Sequence, residues 1–314
     1  MEQRYVGRSG LSVSRLGLGT MTWGRDTGAE EAAAQLRTFA DAGGTLIDTA
    51  DVYTGGDAER LLGRLMQDTV PRSELVIATK AVLTPTARRP RDASRKHLIA
   101  AADASLARLG LEDVDLWQLH AFDSEVPLEE TLAAVDTIVS TGRAAYAGVC
   151  NYAGWQLAAA AVHQRALGRT PMVSAQAEYS LLARDAEREL LSAAEHLGAG
   201  MLAWSPLGRG VLTGKYRTGV PADSRAATPH FADFVRPYLD ERCRRIVESV
   251  TTAAEGLAVS PLSVALSWVR DQPGVCAAIV GARTNAQLNG ILQAEELTLP
   301  MEIREALDDV SAIE

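Results

Sequence analysis

An acid, a phenol, an ammonium and an imidazole follow one another in chain order: Asp48, Tyr53, Lys80 and His120. Brought together, such groups can pass a proton and hold charge at a reacting atom. Their setting repeats. The stretch 45–53, TLIDTADVY, is a short apolar run that sets Asp48 and Tyr53 just beyond its end. LVIATK at 75–80 delivers Lys80 in the same way, and VDLWQLH at 114–120 delivers His120. Strands that carry polar groups past their carboxyl ends are how a parallel barrel builds an active site. Each residue alone has an ordinary reading. An Asp after a strand is usually a helix cap or turn residue, and a lone Lys or His at a strand end is more often solvated than catalytic. The combination, at three successive predicted strands, singles them out.

Positioning those groups needs a frame. Residues 2–16 read as two short strands around the turn Gly7-Arg8-Ser9-Gly10, a hairpin signal. Strand then alternates with helix. Strands are predicted over 15–19, 45–48, 75–79, 114–119, 144–149, 172–177, 200–204 and 277–280. Helices are predicted over 30–42, 57–66, 94–109, 127–139, 155–167, 187–197, 238–255 and 261–270, with terminal helices at 285–294 and 301–310. Gly43-Gly44, Gly110, Gly142 and Gly198 supply helix stops. Eight strands, each followed by helix, predict a (β/α)8 TIM barrel, an α/β fold. It is read as one domain over 1–314, with an N-terminal β-hairpin covering the bottom and extra C-terminal helices. The Gly-, Pro- and Asp-rich segment 207–237 is too long for a plain connection, which marks it as a functional loop or lid.

The 314 residues are 47% hydrophobic and carry a formal net charge of −9. A chain of that length buries a large core without staples. The acidic balance argues against nucleic-acid binding, which needs a basic footprint, and suits ordinary cytoplasmic solubility. Cys150, Cys243 and Cys276 are odd in number and scattered, so a reducing compartment is expected. His97, His120, His163, His196 and His230 show no HExxH spacing, so no metal site is expected. The amino terminus lacks an apolar signal core, and no apolar run reaches about 18 residues. No membrane partner is expected. The oligomeric state stays open, with a monomer possible.

A doubly wound dinucleotide fold would need a glycine fingerprint. Gly17-Leu18-Gly19 has Thr22 at the third glycine position, and Gly208-Arg209-Gly210 has Thr213 there. Gly214-Lys215 fails as a P-loop because Tyr216 follows.

From GLGTMTWG at Gly17 to GARTNAQL ending at Leu288, the chain resembles the aldo-keto reductase superfamily. DTADVY at Asp48, ATK at Ala78 and LHAFD at Leu119 are the most specific parts. GVCNY at Gly148, QAEYSLL at Gln176, WSPLGRGVLTGKY at Trp204 and GART at Gly281 follow in the family's order and spacing. The pattern is most similar to the branch holding aryl-alcohol dehydrogenases, sugar-carbonyl reductases and potassium-channel β subunits.

The resemblance implies NADPH as cofactor and a small-molecule carbonyl substrate. It gives Asp48, Tyr53, Lys80 and His120 the catalytic roles. Asn151 and Gln176, beside Cys150, match the groups that hold the nicotinamide carboxamide, and Trp204 matches the aromatic that stacks on the ring. Ser205, Pro206, Leu207, Gly208 and Gly210, with Lys215, match the loop over the pyrophosphate. Arg225, after Ser224, matches a phosphate contact. Gly281, Ala282, Arg283 and Gln287 match the adenosine-phosphate segment, and Gly19, Thr20 and Met21 are likewise placed at the cofactor. Trp23 and Phe122, with Tyr53 and His120, are expected to wall the substrate pocket, and Trp155 to pack in the core or on the surface. Four positions depart from the family. Cys150 replaces a usual Ser. Gly290 and Ile291 stand where Glu and Asn commonly hold the adenine. Val280 replaces a frequent Pro.

The implied chemistry is hydride transfer to a carbonyl, which leaves an alkoxide needing a proton and nearby positive charge. Lys80 is expected to lower the Tyr53 pKa from about 10, while Asp48 orients and neutralises Lys80. Tyr53 is then the acid in reduction and the base in oxidation, and His120 donates to the carbonyl oxygen. The rival reading is a regulatory nucleotide-binding module like the channel β subunits. The run Arg88, Arg89, Arg91, Arg95, Lys96 reads as a solvated loop and helix start, or as a guide for an anionic substrate.

Overall fold

The computed structural model describes residues 1–222 and 224–313. A two-stranded antiparallel ribbon, β1 (Gln3–Tyr5) and β2 (Ser12–Ser14), precedes a closed parallel barrel. The barrel strands are β3 (Leu16–Gly19), β4 (Leu46–Asp48), β5 (Val76–Ala81), β6 (Val114–Leu119), β7 (Ala144–Cys150), β8 (Met172–Glu178), β9 (Gly200–Trp204) and β10 (Val275–Val280). They pair in chain order, and β10 closes onto β3. The fold is the expected (β/α)8 barrel with its hairpin.

Helices α1 (Ala29–Asp41), α2 (Asp57–Asp68), α3 (Arg95–Leu109), α4 (Leu128–Ser140), α5 (Gly154–Ala166) and α6 (Leu190–Leu197) follow β3 to β8 in turn. After β9 the chain runs through a 3-10 turn, Gly208–Thr213, to a short α7 (Pro229–Val235), then α8 (Glu241–Leu257) and α9 (Pro261–Arg270). α10 (Asn285–Gln293) and α11 (Met301–Ser311) come last. Local chemistry sets several starts. Ser94 accepts from the His97 amide, Asp240 from Cys243, Ser260 from Ser263 and Thr284 from Gln287, each satisfying a donor that a helix leaves orphaned. Among the described residues, no single helix is long and apolar enough to cross a membrane.

Period-2 alternation lays the barrel interior in layers. Leu46, Ala78, Leu116, Leu202 and Ala277 form an apolar floor with Val6, Leu11 and Val13 of the hairpin region. Gly7 sits at φ +57°, and a Cβ there would lie 2.3 Å from the Gly198 carbonyl oxygen, so only glycine lets the hairpin seat against the barrel bottom. Two residues along from Leu46, Ala78 and Leu116 come Asp48, Lys80 and Gln118, which makes the next interior layer polar. Gly148 of β7 lets Ser174 approach: an added Cβ would meet its Oγ at 1.9 Å.

Candidate active site

Register brings the polar layer together. Asp48 pairs with Ala78 across β4 and β5, and Lys80 with Gln118 across β5 and β6. The Lys80 side chain, fully buried, reaches back to Asp48. Its Nζ donates to Asp48 Oδ1 and Oδ2 at 2.6 and 2.7 Å and to the Thr49 carbonyl at 2.8 Å. Gln176 Nε2 donates to Asp48 Oδ2 at 2.9 Å. Tyr53, in the turn before α2, sits with its ring centroid 5.3 Å from Lys80 Nζ and 6.0 Å from the His120 ring, edge-on. The structure thus gathers all four residues at the carboxyl ends of β4, β5 and β6.

Burial decides their charge states. It disfavours the Lys80 ammonium, but the Asp48 carboxylate outweighs that and holds Lys80 above its ordinary pKa. Tyr53 behaves otherwise than the sequence suggests. Burial pushes its phenol up to about 12; Lys80 pulls the other way, but Asp48 works against Lys80. The Lys80 ammonium does lower this pKa, but burial, with the Asp48 charge beside it, outweighs that. Burial, then the Lys80 charge, takes His120 down to about 3, so the imidazole is neutral at physiological pH. Its Nδ1 is buried with no partner among the described residues. Burial likewise pushes the Cys150 thiol to about 12, and its Sγ donates to Gln176 Oε1 at 3.5 Å.

Backbone strain concentrates at the same level. Val82, Asn151 and Ser205 are each the first residue past a barrel strand, and have φ of 128°, 55° and 53°. Non-glycine residues rarely adopt such angles, and they cluster where a site dictates the backbone. Asn151 ties three strand ends. Its Nδ2 donates to the His120 carbonyl at 3.0 Å, and its Oδ1 accepts from Trp204 Nε1 at 3.1 Å.

A cavity of about 640 Å³ opens over the tetrad residues Asp48, Tyr53 and His120. Gly19, Met21, Cys150, Asn151 and Gln176 line it, as do Trp204, Ser205, Pro206, Leu207, Gly210 and Lys215. It extends to Arg225, Gly281, Arg283 and Gln287, and to Gly290 and Ile291. Burial lowers the Arg225 pKa, and the nearby Arg283 charge adds to the effect, so two cations are held within repelling range. Ser224 Oγ, beside them, is buried without a partner among the described residues. Gln287 Oε1 accepts from the Arg283 amide at 2.9 Å.

Several expected residues lie off the cavity. Trp23, expected in the pocket wall, is completely buried, and its indole donates to Gln35 at 3.1 Å; the β3–α1 loop folds inward and makes it core. Phe122 faces Tyr152 and Trp155 edge-on, at 5.4 and 5.7 Å, instead of the pocket. Trp155 packs on the surface, 59% exposed. Thr20 caps the backbone by donating to the Asp48 carbonyl at 3.2 Å, Gly208 is buried against Leu182, and the Ala282 carbonyl accepts from Gln35 at 3.3 Å. The cavity has Val52, Leu83, Arg209 and Phe234 in its walls besides. Arg209 falls inside the 205–210 stretch matched to the pyrophosphate loop, and Phe234 inside the long 207–237 segment, but nothing local singled out either residue.

Three residues of the basic run are tied down, while Arg88 and Lys96 are exposed. Arg89 binds Asp123 at 3.0 Å and Glu125 at 3.1 Å, Arg91 donates to the Phe122 carbonyl at 2.9 Å, and Arg95 to the Ala133 carbonyl at 2.9 Å.

Comparison with known proteins agrees with this geometry. The Aldo/keto reductase family model matches residues 15–312. A probable voltage-gated potassium channel subunit beta of Oryza sativa subsp. japonica is 33% identical over 100% of this chain and 96% of its own length. The uncharacterized oxidoreductase YrpG of Bacillus subtilis (strain 168) is 34% identical, with 99% and 96% covered. A probable voltage-gated potassium channel subunit beta of Arabidopsis thaliana is 32% identical, with 100% and 96% covered. A barrel with a buried Lys–Asp pair at its mouth, matched along nearly its whole length, belongs to the aldo/keto reductase family of oxidoreductases.

Proposed function

We propose that the chain is an NADPH-dependent reductase of uncharged aldehydes or ketones, with Tyr53 as the proton donor. One observation carries the reading: the cavity that reaches the buried Lys80–Asp48 pair, Tyr53 and His120 also reaches Arg225 and Arg283. A single elongated site thus offers an acid–base centre and a basic region for phosphate, and NADPH needs both. Its size falls within the range of small-molecule and cofactor pockets. Asn151 and Gln176 would hold the carboxamide, Trp204 the ring face, and Lys215, Arg225 and Arg283 the phosphates. NADPH, when bound, supplies the hydride.

The residues do the rest. Tyr53, protonated throughout the neutral range, donates its phenolic proton to the forming alkoxide. The Lys80–Asp48 pair fixes the field behind that phenol. His120, neutral, can present one N–H to the carbonyl oxygen and so orient the substrate. Reverse oxidation needs the phenolate and therefore rises with pH. Val52 and Leu83 give the substrate side apolar walls. Arg89, Arg91 and Arg95 are occupied within the protein, which favours an uncharged substrate over an anionic one.

A second reading has its own support, since two relatives bear the name of potassium channel β subunits. It is a nucleotide-binding regulatory module with little turnover. Stopped-flow NADPH oxidation with an aromatic aldehyde, an aliphatic aldehyde, a deoxysugar ketone and a sugar phosphate separates the two. Turnover with the uncharged compounds is expected. Tight NADPH binding with no oxidation by any of them would overturn the reductase and leave the regulatory module.

A further inference from the structure

Arg209 lines the cavity, yet its guanidinium is already committed. Nε and Nη2 grip Glu178 at 2.8 and 2.6 Å, a two-point carboxylate clasp. Nη1 donates to the Phe234 carbonyl. The guanidinium carbon lies 3.8 Å from the Phe234 ring centroid, 4.8 Å from that of Tyr238 and 5.9 Å from that of Trp204. Tyr238 also hydrogen-bonds Glu178 and, through burial and then that carboxylate, is kept protonated. To make these contacts Arg209 adopts φ +58°, a left-handed conformation with a steric cost for a residue bearing a Cβ.

The joined segments are distant in sequence. Glu178 ends β8, Trp204 ends β9, and Phe234 belongs to α7, which forms part of the cavity wall. On its other side α7 is stitched to the β3–α1 loop, where His230 meets Asp26 at 3.1 Å and Arg25 lies 5.0 Å from the Phe231 ring. α7 is therefore held from two flanks, and Arg209 makes the inner one.

We infer that Arg209 is a positioning residue: clasped by Glu178 and stacked on Phe234 and Tyr238, it holds the α7 wall against the cofactor site and so sets how tightly the cofactor is held and how fast it leaves. This rests on the reading of the cavity as an NADPH site. A guanidinium with three of its five N–H donors on a carboxylate and a carbonyl, and its charge matched by Glu178, is not the phosphate ligand that its place in the cavity suggests. The two roles predict opposite behaviour for lysine, which keeps the charge but loses the planar fork and the stacking.

The test is NADPH binding, release and steady-state kinetics in Arg209→Lys, Glu178→Gln and the double variant, with Tm measured for each. Arg209→Lys and Glu178→Gln should each raise the NADPH Kd, release rate and KM by about tenfold, the scale of one lost charge-assisted bond, while kcat at saturating NADPH changes less. The double variant should be no worse than the worse single, because the pair acts as a unit. Should Glu178→Gln fail to fold, Tyr238→Phe, which removes only a hydroxyl from the clasp, should shift Kd and release in the same direction. Native affinity in Arg209→Lys, native affinity in Glu178→Gln, or losses that add in the double variant would each overturn the inference. A native protein that binds no NADPH would overturn the cofactor reading and this inference with it. Native binding with unchanged variants overturns this inference alone.

Discussion

The tetrad end and the basic end of the cavity are built by different means. At the tetrad, Asp48 and Lys80 project from neighbouring strands in fixed register, and the ammonium is wholly enclosed with its counter-ion at 2.6 Å. At the basic end, Arg225 lies in the long segment after β9, and Arg283 just past β10. Like charges face one another there, and loop backbone rather than sheet register places them. An enclosed ion pair has nowhere to relax, so a change on one partner falls on both folding and chemistry. A pair of rim cations held by loops can change affinity without disturbing the core.

The largest effect is expected at the tetrad. Tyr53→Phe should keep the fold and NADPH binding and lose about 10²–10⁴ in turnover, the scale of general acid catalysis; near-native turnover on a good aldehyde would remove Tyr53 from the proton-donor role. Next, Asp48→Asn should leave Lys80 without its counter-charge and cost roughly 3–5 kcal/mol in chemical denaturation. The double change Asp48→Leu with Lys80→Met should recover much of that stability but no activity. Recovery of activity would show that the pair serves only the fold.

At the other end, Arg283→Ala should leave Tm close to native and lower the NADPH-over-NADH preference in kcat/KM by about ten- to hundredfold, since a charged hydrogen bond contributes roughly 1.5–3 kcal/mol. An unchanged ratio, or equal use of NADH by the native protein, would take Arg283 out of the cofactor site.

A pH-dependent effect sharpens the contrast from behind the tetrad. Burial, with the Glu59 charge second, pushes Asp51 up to about 7. Between the ordinary carboxylate value, about 4, and that raised value, the folded protein holds a proton that the unfolded chain has released. Stability attributable to Asp51 therefore falls as pH rises through this window. Asp51→Asn should raise stability above pH 7 and make no difference below pH 4, read from denaturation midpoints across the range. A gain of equal size at every pH would assign the effect to packing instead of titration.

Much of the barrel was legible because its signals are local. Apolar runs of four to six residues between helix stops mark the strands, and alternation within them puts Asp48, Lys80 and His120 on strand ends. Helix boundaries fell within a few residues because caps such as Ser94 and Ser260 act on the next three residues. The run of basic residues from Arg88 was readable as charge, but its partners Asp123 and Glu125 come from the next loop, and only folding pairs them.

What the sequence by itself determined is the alternation of strand and helix and the identity of the groups at the strand ends, since both depend on residues near one another in the chain. What the tertiary structure decided is environment. It buried Trp23 and turned Phe122 away from the cavity, because the direction of a loop side chain depends on what packs over it. It held the Tyr53 phenol protonated, because burial and the Asp48 charge beside Lys80 are properties of assembled neighbours. It also gave Arg209 its place, since a guanidinium needs Glu178, Phe234 and Tyr238 together and no short stretch of chain contains them.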